Sequence, residues 1–447
     1  MSNVPMTRPW EMLAEHKTNY FHDSTFIEIS NGRILHCSGK QFCTSDDGGI
    51  SWSAPYQSRD KNGDVIGGGG TSLVKLDGNT IGLAAIRRGK GPDFPDWMER
   101  HSYMVYWRSD DEGKTWEKPV RMSLPALGQV VAYQDVFIRT STGRIMLPIY
   151  TGLGHELHPL DQHYPHHGKL VNGQWVSTSA HFFGTGIAGS YVVYSDDEGR
   201  TWQQNKDGHL IIYIDWAASL SATSEPTIAE VAPGRIVMYQ RTKLGRIFQS
   251  WSYDNGETWT SPVPTSLAAT TTPAQIRKIP STGHMLVVWN QESEDEIRAG
   301  YNRTRISSAI SRNGGSVWEF YQNVHSMHDE TRVEPGPIRA VRPEEMHNKP
   351  GQAPPTRDGK YLKIVDHHIR ISYPSVFVMK DRVLIAHTYT HYEDHPTRAQ
   401  LVKVGGADNK DFNQILKVLP LTWFYGGKEP ADNPAFPKAS DIAVPFP

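Results

Sequence analysis

The chain of 447 residues carries a formal net charge of −2, with 39 Gly, 13 Trp, 19 Tyr and 38% hydrophobic residues. That balance excludes binding to nucleic acid or to a membrane surface through bulk charge, and its composition fits many short strands joined by turns. Two cysteines, Cys37 and Cys43, are too few for a disulfide framework and read as reduced thiols; no apolar run has membrane-spanning length, and a cytoplasmic protein is expected unless a leader has been removed.

In chain order, six hairpins recur, each made of an apolar strand, a tight turn and a second apolar strand. They turn at Asn31-Gly32-Arg33, Asp77-Gly78-Asn79, Thr142-Gly143-Arg144, Pro233-Gly234-Arg235, Thr282-Gly283-His284 and Lys380-Asp381-Arg382. Five of them lead to an eight-residue turn that is a near copy of the common pattern Ser-x-Asp-x-Gly-x-Thr-Trp. These turns run Ser45–Trp52, Ser109–Trp116, Ser195–Trp202 and Ser252–Trp259, with a worn copy at Ser311–Trp318 that has Asn313 for Asp. The Asp bonds N–H groups of its own turn, the Gly supplies positive φ, and the Trp pins the turn onto neighbouring strands.

Each unit therefore reads as four strands, and radial repetition of such units predicts a six-bladed β-propeller of four-stranded antiparallel blades. The expected organisation is one all-β domain over 1–447, with blades near 21–55, 69–120, 132–213, 224–262, 273–322 and 371–424. Long insertions fall at 150–188 and 319–370. The last segment, from Asp411, closes the ring together with the N-terminal arm.

If the first strand of each blade lines the channel, the hairpin turns and Asp turns share one face. The loops between second and third strands share the other face. From hairpin Gly to Asp-turn Ser the chain spans 13 residues in blade one and 52 in blade three. All the large insertions thus lie opposite the Asp turns, where a site is expected.

These turns and hairpins resemble the Asp-box (BNR-repeat) sialidase superfamily, from about Phe21 to Val404. The resemblance implies an active site on the face away from the Asp turns. Ser224-Glu225-Pro226-Thr227, with Tyr239-Gln240-Arg241, looks like the family segment that supplies a pocket Glu and, sixteen residues on, one Arg of a carboxylate-binding triad. Ile371-Ser372-Tyr373-Pro374-Ser375 looks like the segment carrying the catalytic Tyr. Asn302-Arg303-Thr304-Arg305 is similar to a stretch carrying another Arg, with Arg298 as the alternative register. Two departures mark a divergent member. Phe21-His22-Asp23-Ser24 stands where the family has its blade-one Arg, and the Ser38–Phe42 loop offers no acid/base carboxylate.

By resemblance, Glu225 draws the proton from Tyr373, making a nucleophile for an anomeric carbon, while Arg241 and Arg303 offer forked donors to a carboxylate or sulfate. The alternatives are a structural hydrogen bond for the first pair and salt bridges between blades for the arginines. The proton donor is open among Asp135, His22 and Asp23 at the channel mouth, and the blade-two loop, where Asp93 and Asp96 stand with Arg87 and Arg88 at its base. The 20 histidines cluster on the loop face: His155, His158, His163, His166 and His167 in blade three, then His325, His328, His347, His391 and His395. They read either as a metal site or as solvated loop residues, and no fixed ligand pattern recurs.

The candidate site is then Tyr373, Glu225, His22 and Asp135 for catalysis, and Arg241, Arg303, Asp23, Arg87 and His391 for substrate binding. No cofactor and no metal are expected. The leading expectation is an exo-acting glycoside hydrolase on an acidic oligosaccharide or glycoconjugate. A lyase acting on uronate glycans through Tyr373 and His22 or a loop His, and a non-catalytic glycan-binding propeller, are the alternatives.

Overall fold

The computed structural model describes residues 11–21, 23–88, 102–123, 128–153, 168–171, 174–177, 187–214, 219–221, 223–242, 244–293, 296, 301, 303–336, 368–392 and 412–430. Around each tight turn the flanking apolar segments pair as antiparallel strands, giving an all-β, six-bladed propeller. Blade one pairs Ser24–Glu28, Ile34–Ser38 and Gln41–Ser45, with its outermost strand reduced to the Phe42–Tyr56 bridge. Blade two comprises Gly69–Lys75, Ile81–Arg88, Ser102–Ser109 and Val120–Arg121. Blade three comprises Ile138–Arg139, Ile145–Leu153, Ile187–Ser195 and Gln203–Gln204, and Gly128–Val131 joins it to blade two. Ser224–Ala232, Arg235–Arg241, Arg246–Ser252 and Val263–Ala268 form blade four; Gln275–Lys278, Met285–Asn290, Arg305–Ser311 and Glu319–Ser326 form blade five.

Blade six contains His368–Val378, Arg382–Tyr392 and Gln414–Pro420, and its outer strand is the N-terminal Ala14–Thr18. Ala14–Thr18 and Gln414–Pro420 thus pair in one sheet and close the ring. This explains why six hairpins have only five Asp turns: the last two strands of blade six are not consecutive in the chain.

The Asp turns lock each blade onto the one before it. In blade three, Asp197 accepts from Ser195 Oγ at 2.7 Å, Thr201 N at 2.8 Å and Thr201 Oγ1 at 2.7 Å. Gly199 has φ +88°, and a Cβ there would lie 2.1 Å from Tyr106 of blade two. Only glycine allows both the backbone and the approach. Trp202 then packs edge-on against Tyr106, with ring centroids 5.3 Å apart. Trp318 of blade five meets Tyr239 of blade four edge-on in the same way, and Trp116 of blade two meets Phe42 of blade one in a tilted contact. Gly-Arg turns share this face: Arg33 donates to Asp46 at 2.5 Å, and Arg144 forks onto Asp196 at 2.7 and 2.8 Å.

The ring centre is filled. Asp135 of blade three accepts from Thr25 Oγ1 of blade one at 2.8 Å and pairs with Arg277 of blade five at 3.0 Å. Arg277 also donates from Nε to the Val376 carbonyl of blade six at 3.0 Å. Burial raises the Asp135 pKa, and the Arg277 charge pulls against that rise.

Candidate functional site

Left-handed backbone marks the mouth of the propeller. In five blades the inner strand starts at, or bulges around, a residue with positive φ: Asp23 at 53°, Gly70 at 56°, Asp135 at 55°, Glu225 at 41° and Tyr373 at 58°. Four of these carry side chains, and each such non-glycine conformation costs about 1–3 kcal/mol. Strain of this kind persists where the surrounding contacts over-determine it. At Glu225 and Tyr373 the ladder slips, between Ser224 and Thr227 and between Ser372 and Ser375, and each slip turns one extra side chain into the mouth.

Those two side chains meet. Tyr373 Oη donates to Glu225 Oε1 at 2.9 Å. Arg241, brought alongside by the Ser224–Arg241 register pair, donates through Nη1 to Glu225 Oε2 and to Tyr373 Oη, the latter at 3.1 Å. Glu225 and Arg241 are 8% and 3% exposed, so the two charged members of this triangle are buried, while Tyr373 is partly buried at the cavity wall. Burial raises the Tyr373 pKa, the Glu225 charge adds to the rise, and Arg241 and Arg303 oppose it. Against the desolvation of its own burial, Arg241 is raised by the Glu225 charge. The resting hydroxyl is therefore a neutral phenol with a proton acceptor in contact. A phenolate formed there has Arg241 beside it.

In front of the triangle lies a cavity of about 270 Å³, lined by Asp23, Arg303, Arg370, Ser372, Tyr373, Thr388 and Thr390. Arg303 enters from blade five with φ 62° and is 9% exposed. Its guanidinium donates to the Thr271 carbonyl at 3.1 Å and Ser372 Oγ at 3.4 Å, and lies 5.4 Å from the Tyr373 ring centroid. Asp23 is held by its carbonyl, which accepts from Thr71 Oγ1 at 2.5 Å.

Of the expected residues, Tyr373, Glu225, Arg241, Arg303 and Asp23 come together. Asp135 does not line the cavity; its oxygens face Thr25 and Arg277, across the ring centre. Arg87 lies away from it too, with Nη2 on the Val65 carbonyl at 2.9 Å and its guanidinium 4.9 Å from the Trp107 ring centroid. His391 is half-buried opposite Ile369 and is not in the lining. His22, Asp93, Asp96, Arg298, the blade-three histidines named above, His347 and His395 lie outside the described residues.

Arg370, Ser372, Thr388 and Thr390 are additions that sequence reasoning missed. Arg370 pairs with Thr390 and Ser372 with Thr388 across the blade-six hairpin. Counting back from the Lys380-Asp381-Arg382 turn finds these pairs only if the slip at Tyr373 is known. Among the described residues one group, Glu296, His328 and Glu330, has metal-like spacing. Arg305 donates to Glu296 at 2.7 Å and approaches Glu330 at 3.5 Å, so a guanidinium already supplies the positive charge.

The fold and the mouth constellation define a propeller of the BNR-repeat, sialidase-like class. The chain belongs to the BNR repeat-like domain family, whose model matches residues 89–385. Over 225 residues it is 23% identical to the anhydrosialidase of Macrobdella decora, covering 48% of this chain and 23% of that protein. Over 273 residues it is 24% identical to the sialidase of Paraclostridium sordellii, covering 56% of each. The chain thus spans less than two thirds of either relative. Among solved structures, the Trypanosoma rangeli sialidase in complex with the inhibitor DANA superposes with TM-score 0.50 at 13% identity, over 92% of this chain and 56% of that one. The K499G mutant of NanB sialidase from Streptococcus pneumoniae gives TM-score 0.50 at 13% identity, over 94% and 72%. These likenesses are of fold. Among the described residues no helix is long and apolar enough to cross a membrane.

Proposed function

We propose that this protein is a sialidase-like glycoside hydrolase that removes a terminal acidic sugar through a covalent intermediate on Tyr373. The observation that carries the reading is the 2.9 Å contact from Tyr373 Oη to Glu225 Oε1, at the wall of a cavity sized for one sugar ring. In the first half-reaction Tyr373 Oη bonds to the anomeric carbon as its proton passes to Glu225. The bond from that carbon to the leaving oxygen breaks, and the oxygen takes a proton from Asp23, the only carboxylate among the described lining residues. In the second half, Asp23 takes a proton from water as the water attacks the anomeric carbon. The bond to Tyr373 breaks, and the phenolate recovers its proton from Glu225, so configuration is retained. A neutral nucleophile avoids repulsion from the acidic group of the substrate, which Arg303 faces. The distant sialidase relatives support the same class of substrate.

The test is incubation with aryl glycosides of acidic and neutral sugars, followed by reducing-end and ultraviolet assays. The reading expects new reducing ends from acidic glycosides without a new ultraviolet chromophore. Products that absorb in the ultraviolet through a new C=C bond would identify elimination and overturn it.

A further inference from the structure

The slip that turns Tyr373 into the mouth takes two residues out of the blade-six ladder. Ser372 pairs with Thr388 and Ser375 with Ala386, and neither Tyr373 nor Pro374 has a partner between them. Carbonyls displaced from a ladder inside a protein need other donors. Blade three, directly across the ring, supplies both. Gln134 Nε2 donates to the Tyr373 carbonyl at 3.1 Å, and Tyr133 Oη donates to the Pro374 carbonyl. The Tyr133 ring also meets the Tyr373 ring edge-on, with centroids 5.9 Å apart. Both donor side chains are buried. They stand on a fixed base. The Gln134 carbonyl accepts from Gln275 Nε2 of blade five at 2.8 Å, and Asp135 N donates to the Thr71 carbonyl of blade two at 2.9 Å. The Asp135 carboxylate adds its bonds to Thr25 and Arg277, so segment 133–135 is tied to blades one, two and five. Just past the slip, Ser375 Oγ donates to the Ser24 carbonyl of blade one at 2.7 Å.

We propose that Tyr133 and Gln134 are positioning residues, a clamp from across the ring that holds the Tyr373–Pro374 bulge so that the Tyr373 hydroxyl stays on Glu225. Neither side chain is among the residues that line the cavity, so both act through the backbone of Tyr373. That backbone needs holding. A φ of 58° is strained for a tyrosine, and it persists only while surrounding contacts enforce it. Without its two donors the strand is free to relax toward a regular ladder, and a change of register by one residue turns a side chain to the opposite face. Misplacing a reacting group by about 1 Å can lower a rate by about 100-fold. The kinetic consequence rests on the Tyr373 hydrolase reading above; the clamp itself does not.

Fluorine NMR of the full chain labelled with 3-fluorotyrosine, joined to steady-state kinetics on the best acidic glycoside, provides the test. The Tyr373 resonance is identified by its loss in Tyr373→Phe. Gln134→Met keeps the length of the side chain and removes the donor; Tyr133→Phe keeps the ring and removes the hydroxyl. In each folded variant the Tyr373 resonance should move from its wild-type position or split into more than one line. Their kcat should fall by about 10- to 100-fold with KM within about 2-fold of wild type. Gln134→Glu, whose protonated carboxyl can still donate, should keep more of kcat than Gln134→Met, with its advantage largest at acidic pH. An unmoved resonance in both folded variants overturns the clamp. Wild-type kcat in both, even with a lowered melting temperature, makes the pair a brace of the ring alone and overturns it as well. If the wild type hydrolyses no acidic glycoside, the hydrolase reading falls and the resonance alone decides the clamp.

Discussion

Tyr373 Oη and Glu225 Oε1 lie 2.9 Å apart although 148 residues separate them in the chain. Each sits on a left-handed residue at a ladder slip, and each precedes a proline. Pairing of this kind expects loss of chemistry without loss of fold. Tyr373→Phe should lower kcat by roughly 10³-fold with an unchanged melting temperature. Glu225→Gln should be similarly impaired and should also unsettle Arg241, because it leaves a buried guanidinium without its counter-charge. Steady-state kinetics with thermal melts check both; wild-type turnover by Tyr373→Phe would refute the assignment.

Asp135 is expected to act on stability. Its two oxygens join blades one, three and five, and Arg277 is left with an uncompensated charge when it goes. Asp135→Ala should cost about 3–5 kcal/mol in urea unfolding. Purified at a temperature where it remains folded, the variant should retain kcat. A fully stable variant with lost turnover would return Asp135 to the chemistry.

Glu292 links pH to the site. It is fully buried, accepts from Thr304 N at 2.6 Å and Thr304 Oγ1 at 2.8 Å, and so holds the residue next to Arg303. Burial raises its pKa from 4.5 to about 7. A raised carboxyl contributes stability that is full below about 4.5 and is lost as pH rises through about 7. The stability of wild type relative to Glu292→Gln should therefore fall across that window, by an amount on the order of 3 kcal/mol. Melting temperatures at several pH values report it, and parallel curves for the two proteins would contradict it.

His36 has the opposite sign. It lies between Ser24 Oγ at 2.9 Å and Cys43 Sγ at 3.2 Å, with Phe21, Phe26 and Trp52 around the ring. Burial lowers its pKa from 6.5 to about 3. Its stabilising contribution is complete above 6.5 and drains away as pH falls toward 3. Acidification from neutrality should lower the melting temperature, and His36→Gln should flatten that acid slope. An unchanged slope in the variant would exclude His36 as a source.

The blades were legible in the sequence because glycine turns and Asp turns impose local chemistry at fixed spacing. Glu225 and Arg241 came from the resemblance, through the sixteen-residue separation that one hairpin sets. Tyr373 and Arg303 came from resemblance, since no local rule links them to Glu225. Arg370 escaped notice because the slip at Tyr373 shifts its register, and a lone Arg in a strand has no pattern. Asp135 and Asp23 looked alike in sequence, each a carboxylate opening an inner strand. Only the partners across the ring centre separate a brace from a cavity residue.

The central claim is a covalent bond from Tyr373 to the sugar. The direct measurement is mass spectrometry of tryptic peptides after reaction with a ring-fluorinated, activated form of the best acidic substrate. The account predicts one added sugar mass on the peptide containing Tyr373, absent from Tyr373→Phe. An adduct on another residue, or continued hydrolysis of the parent substrate by Tyr373→Phe at the wild-type rate, would contradict it.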